Sequence, residues 1–266
     1  MWMVRKFSLL VFCVLLTADG YGQQTQNDAS RPGAAPDKLA VLDAIARVKS
    51  GGFAPADVET IASAGAVEAV PMLKRQFARS DDWLVKTKLA SAVVRLGGDQ
   101  NDVYWDFLIK QAKLAVESDA PDFMNFDPQA KSSSGPSPEF TAWANAHKLD
   151  VQEAGADAMY WFPARVRMLA STGDRRAIPL LRQGLLSPNH QIEYVAALGL
   201  AELQDKDSIP YIVQACEAAP ADLPALIARP LVYFDDPEAQ KALDKYLSKE
   251  DARRLREGRA GGKKPL

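Results

Sequence analysis

The sequence predicts an all-α chain built as an α-solenoid, a stacked array of helical hairpins with one insertion near its middle. Three observations predict it. First, Asp174-Arg-Arg-Ala-Ile-Pro179-Leu-Leu and Asp205-Lys-Asp-Ser-Ile-Pro210-Tyr-Ile stand 31 residues apart, and one further step lands on Asp236-Pro-Glu-Ala-Gln-Lys-Ala-Leu. At that step Ala239 takes the place of Ala177, Leu243 that of Leu181 and Leu247 that of Leu185. A fixed period of this size marks repeats that cannot bury their apolar faces alone and stack to do so. Second, Ile192, Val195, Ala196, Gly199 and Leu203 recur at helical spacing and form one stripe. Ala196 and Gly199 are small enough for a neighbouring helix to come close. Only such packing offsets the roughly 1 kcal/mol that a glycine costs inside a helix. Third, the chain is 47% hydrophobic, 25% charged and only 8% aromatic, a balance that suits a folded helical protein.

In chain order, Arg5 and Lys6 precede the apolar run Phe7 to Leu16, and small residues follow to Gly22. This is the grammar of a secretory signal peptide over 1–22, cleaved after Gly22 or Ala18. The run is shorter than the roughly 20 residues that span a bilayer. The expectation is a periplasmic or secreted bacterial protein with no stable membrane insertion after cleavage; an uncleaved N-terminal anchor is the alternative. Cleavage removes Cys13 and leaves Cys216 alone, so no internal disulfide forms. Cys216 lies within a helical segment and reads as a small core residue. Residues 23–36, rich in Gln, Asn, Ser, Gly and Pro, read as a disordered leader.

Residues 37–257 read as the repeat domain. Asp37 caps a helix over 38–49, with Leu39, Leu42, Ile45, Ala46 and Val48 along one side, and Pro55 opens a second helix in its first turn. Gly65-Ala-Val-Glu-Ala-Val-Pro71-Met-Leu then matches Gly173-Asp-Arg-Arg-Ala-Ile-Pro179-Leu-Leu, and helix 83–96 matches 191–203. Pro71, Pro179 and Pro210 are expected to bend the first helix of each pair; the alternative is that each begins a helix. Tyr104 to Pro179 spans 75 residues where two periods take 62 to 66, so the period breaks at an insertion, 118–157. In it, Ser137 caps a short helix over 139–148, and a longer helix over 153–172 is expected to kink at Pro163. Ser248 and Asp251 form a capping box for the last helix, and 258–266 is expected to be a disordered basic tail.

These repeats resemble HEAT repeats of the short type found in phycobilisome lyases, most clearly in His190-Gln-Ile-Glu-Tyr-Val-Ala-Ala-Leu-Gly-Leu-Ala-Glu-Leu and over roughly 65–115 and 160–247. The chain departs from that pattern where an Arg often follows the first apolar residue of the second helix: here Lys86 and Glu193 stand in its place. The resemblance implies a right-handed α-α superhelix of HEAT-like hairpins, about six units, with a concave face for partners. It also implies the alternative of a small-ligand lyase, transferase or chaperone of the chromophore-handling kind.

The chemical inventory is thin. His147 and His190 have no second ligand at metal spacing, and neither a phosphate-binding glycine loop nor a nucleophile elbow occurs. Asp81-Asp82 and Asp235-Asp236 read as helix caps. No catalytic residue, metal or cofactor is therefore expected. A net charge of −2 and a pI near 5.8 argue against a nucleic-acid partner. The expected function is a non-enzymatic scaffold for a protein or peptide. The candidate binding residues are the large apolar side chains in and beside the insertion, Phe123, Met124, Phe126, Trp143, Tyr160 and Trp161. They serve either as a lip over a site or as a cover for an otherwise exposed helix face.

Overall fold

A computed structural model describes residues 37–124, 135–220 and 223–260 of the chain. The expected signal peptide and leader, Phe126 and the end of the expected tail lie outside the described residues. The described chain is helical throughout; its only extended pairing among these residues is one isolated bridge, Met124 to Pro136.

The first four helices are α1 (Lys38–Ser50), α2 (Pro55–Ser63), α3 (Val70–Arg79) and α4 (Trp83–Arg95). Asp37 accepts from the Leu39 amide and caps α1, as its sequence predicts. The buried face of α1 differs from the expected stripe. Ala44 and Val48 are buried, whereas Leu39 and Leu42 are exposed. The difference follows from position, because α1 packs on α2 and α3 on one side and meets no earlier helix among the described residues.

The next helix, α5 (Val103–Val116), packs against α4 and then against α8 (Phe162–Ala170). Between α5 and α8 the chain makes α6 (Pro138–Ala146), α7 (Val151–Ala156) and a π-helical turn, Asp157–Trp161. The inserted chain therefore separates the two members of one packed pair. Sequence spacing alone places the break at 118–157 but does not show that the helices on either side of it pack together. The chain stays helical from α7 through the π turn into α8, with right-handed helical angles at both joins. Pro163 stands in the first turn of α8 directly after that wide turn, so the expected long helix forms with a π turn where a kink was expected.

Beyond it come α9 (Ile178–Gly184), α10 (His190–Glu202), α11 (Ile209–Ala218), α12 (Leu223–Ala228) with a 3-10 segment Arg229–Tyr233, α13 (Pro237–Tyr246) and α14 (Lys249–Ala260). Ala177, Leu181 and Leu185 are buried, and so are Ala239, Leu243 and Leu247 at the same register. Pro71, Pro179 and Pro210 do not bend these helices. Each follows a single 3-10 turn and sits in the first turn of α3, α9 or α11, where an absent N–H breaks no bond.

Helices meet their successors through small residues. A Cβ on Gly199 of α10 would stand 2.5 Å from Ala170 Cβ of α8 and 3.1 Å from Leu181 Cδ1 of α9. The glycine is thus required by close approach, as its sequence context predicts. Arg167 of α8 makes a two-pronged pair with Glu202 of α10, Nη2 to Oε1 being 2.7 Å. The turns are tied in register as well. Arg175 donates to Leu203 O at 2.9 Å and to Asp205 at 3.2 Å. Thirty-one residues later, Lys206 donates to Asp235 O at 3.0 Å and stands 3.8 Å from Asp236 Oδ2.

The three aligned aspartates differ in role. Asp174 and Asp236 cap their helices, accepting from the amides of Arg176 and Glu238. Asp205 is buried and makes no cap bond; Arg182 at 2.7 Å, Arg175 and the Ser208 hydroxyl hold it. Although burial opposes ionisation, those partners keep its carboxyl below the usual range. At the C-terminal end, Ser248 and Asp251 form the expected capping box. The expected tail starts too early, because α14 runs to Ala260. Arg259 anchors it by donating to Val232 O at 2.7 Å and to Phe234 O at 3.3 Å.

Candidate functional site

The insertion builds its own small core from Ala120, Phe140, Ala144, Ala154 and Ala158. Two of the sequence-predicted site residues meet there. Phe123 packs edge-to-face on Phe140 with centroids 5.2 Å apart. Its ring also lies on Gly155, where a Cβ would come within 2.2 Å of Phe123 Cε2. Trp143 stacks at 5.3 Å on the same Phe140, and its indole donates to Asp119 Oδ1 at 2.8 Å. Ser137 fastens the segment: its amide donates to Phe123 O at 2.6 Å, its hydroxyl donates to Asp122 O at 2.8 Å, and it caps α6. Met124 pairs with Pro136, partly buried. Tyr160 and Trp161 belong to the π turn. Trp161 faces away to α4, edge-to-face with Trp83 at 5.4 Å, beside the Arg165 guanidinium stacked 4.6 Å over the Trp83 ring. Of the predicted residues within the described chain, Phe123 and Trp143 thus join the insertion's core, and Tyr160 and Trp161 lie in the π turn.

A concavity among the described residues lies elsewhere, along α4. It has a volume of about 290 Å³ and is open to solvent, and a smaller one of about 30 Å³ adjoins it through shared Pro55, Val58 and Lys88. Neither is lined by any of the five predicted residues that lie within the described chain. Helical spacing makes this groove: Val85, Lys88, Ala92 and Arg95 fall on one face of α4. Gly51, in the left-handed region at φ 86°, turns the chain after α1 and brings Phe53 and Pro55 to the opposite wall with Val58 of α2. At one end, Gln76 donates to Val48 O at 2.8 Å, beside Arg79 and Ser80. At the other end, Met168 and Ser171 of α8 close the floor, Ser171 in hydrogen-bond contact with Ser91 at 3.1 Å.

Lys88 stands in the seam of the two concavities. Burial pushes its ammonium below the ordinary lysine value, and the charge of Glu59 opposes that shift. Glu59 itself is spoken for, because Arg95 donates to both of its oxygens at 2.8 and 2.9 Å. Among the described residues, nothing accepts a hydrogen bond from Lys88 or Arg79.

A third feature was not anticipated from the sequence, which suggests only a cap or solvent role for His190. The cap is Asn189, and His190 is the first residue of α10 with its side chain 14% exposed. Its Nδ1 is bonded to Glu193, and its Nε2 stands 3.4 Å from Asp122 Oδ2, whose other oxygen accepts from the His190 amide at 2.9 Å. Asn189 also donates to Ala158 O at 3.0 Å. The insertion is therefore fastened to the start of α10 at two points. Glu193, three residues along the helix, was a visible partner; Asp122, 68 residues upstream, was not.

Cys216 is buried, its thiol pushed up to about 12 by burial, and so is inert at neutral pH. Among the described residues no cluster of His, Cys, Asp and Glu is arranged to hold a metal ion, and no helix is long and apolar enough to cross a membrane. No protein-family model, curated protein or solved structure matches the chain.

Proposed function

We propose that the chain is an exported, non-enzymatic scaffold, a right-handed solenoid of HEAT-like hairpins that binds a protein or peptide partner along its inner helices. The observation that carries this reading is the open groove on the face where α2, α4 and α8 follow one another. Helix pairs in succession support the array: α1 with α2, α3 with α4, α5 with α8, α9 with α10. The register-matched tethers of Arg175 and Lys206 support it further. An open groove suits an extended chain better than a small ligand, which is ordinarily enclosed.

Site-specific photo-crosslinking in cells tests the proposal. A crosslinker at Arg79, at the end of the groove, is expected to capture a discrete partner, and one at exposed Leu114 on α5 is not. Equal capture at both positions, or none at either, contradicts it. Sequencing the mature N-terminus tests export: processing after Gly22 or Ala18 is expected, and an intact Met1 in the folded product contradicts it.

A further inference from the structure

We infer that the groove along α4 takes an extended partner segment that is both acidic and apolar, seating a carboxylate on Lys88 and apolar side chains on Phe53, Val58 and Val85. The inference rests on the scaffold reading and specifies its partner. Three features of the groove carry it.

The first is charge. Arg79, Lys88 and Arg95 line the two joined concavities against one carboxylate, Glu59, in a chain whose net charge is −2. Glu59 is occupied by Arg95. The local excess is therefore positive where the whole is slightly negative. An acidic segment is attracted here and repelled by the average surface.

The second is the state of Lys88. A surface lysine extends its ammonium into water, whereas this one is partly withdrawn from water and no protein acceptor bonds it among the described residues. Such a group loses hydration without recovering it from a partner. A carboxylate arriving over the seam supplies the missing acceptor and strengthens as water leaves.

The third is the wall. Phe53, Pro55, Val58 and Val85 make an apolar lining beside the cation. A purely anionic ligand such as phosphate leaves that lining wet, and a purely apolar one leaves Lys88 unpaired. A chain alternating acidic and apolar side chains satisfies both, since successive residues of an extended strand point to opposite sides and alternate ones return to the same side. The opening of the groove to solvent admits such a chain.

The test uses the full chain and three synthetic acetylated octapeptides: Leu-Glu repeated four times, Leu-Gln repeated four times and Ser-Glu repeated four times. Binding is followed by amide chemical shifts and by the 13Cε signal of Lys88. The Leu-Glu peptide is expected to shift residues 51–58 and 76–88, to raise the depressed lysine titration toward its ordinary value, and to bind about tenfold more tightly than either control. Lys88→Met is expected to remove that tenfold preference; Val85→Glu, which places an acid in the groove, is expected to do the same with Lys88 intact. Equal binding of the Leu-Gln peptide, an unaltered preference in both variants, shifts confined to other helices, or competition by inorganic phosphate at the affinity of the peptide each overturns the inference. If the peptides fail while Arg79 still crosslinks a discrete partner, the acidic occupant falls and the scaffold stands. If Arg79 captures nothing and the peptides bind, the scaffold reading fails first.

Discussion

The pair α9–α10 and the insertion between α5 and α8 are both helical, yet they are held together differently. In the pair, aliphatic side chains interlock with those of the neighbouring helices, and backbones close to the limit that glycine allows. A Cβ on Gly184 would stand 3.0 Å from Ala196 Cβ, and one on Gly199 would collide with Ala170. In the insertion, one large side chain, Phe140, is ringed by alanines and edged by Phe123 and Trp143. Polar bonds at Ser137, Asp122 and Asn189 then fasten it to the rest. The difference teaches that a helix pair packed closely on its neighbours is held by that contact, whereas the insertion needs a local core and tethers.

The largest expected effects separate the two regions. Leu181→Ala empties a fully buried site in the pair and is expected to cost about 3 kcal/mol, lowering the main cooperative melt. Phe140→Ala is expected to cost about as much locally, accelerating hydrogen exchange over 135–158 while leaving the main melt nearly in place. An equal fall of the main melt in both variants erases the distinction.

A smaller pair of effects sharpens the comparison between residues aligned at the 31-residue step. Asp205→Ala strips a buried carboxylate from Arg182, Arg175 and Ser208 and is expected to cost about 2–3 kcal/mol. Asp174→Ala, at the same register, removes a helix cap and is expected to cost about 1 kcal/mol. Denaturant titration of both decides whether aligned residues carry unequal loads.

The smallest effect concerns the tether. Burial works against the His190 imidazolium, but the bond to Glu193 and the charge of Asp122 outweigh it and hold the ring above its ordinary value of 6.5. A value raised in the folded chain gives stabilisation that is complete below 6.5 and lost as pH rises through the folded value. Asp122, raised by burial, acts in the same direction but over a more acidic range, from its ordinary 3.8 upward. Hydrogen exchange at 120–124 is therefore expected to slow, relative to its intrinsic rate, as pH falls from about 8 to about 6. His190→Gln is expected to flatten that dependence and to cost about 1 kcal/mol. A slope of opposite sign breaks the account of the tether.

Much of the helical packing over 174–247 was legible because its determinants repeat in the sequence. The step from Asp174 to Asp205 to Asp236 also carries Arg175 onto Lys206, and both tie one turn to the next. Gly199 declared its close contact by being a glycine in a helix. What the sequence concealed depends on contacts without local period. The pairing of α5 with α8 bridges a detour whose length looks like a gap between units. The prolines were ambiguous because one 3-10 turn, invisible to spacing, decides whether they bend a helix or begin it. Of the groove residues, Lys88 lies on α4 and Phe53 in the link between α1 and α2, and each looks ordinary in its own segment. The aromatic residues that drew notice include Phe123 and Trp143, which are absorbed by the insertion's core.

The measurement that tests the central claim most directly is a double-mutant cycle between Ala170 of α8 and Gly199 of α10, read by equilibrium denaturation. If successive pairs stack in the described register, Gly199→Ala destabilises by about 1–3 kcal/mol, and combining it with Ala170→Gly recovers a large part of that loss, a coupling of about 1 kcal/mol. A neutral Gly199→Ala, or strictly additive effects in the double variant, contradicts the stacking of α10 on α8.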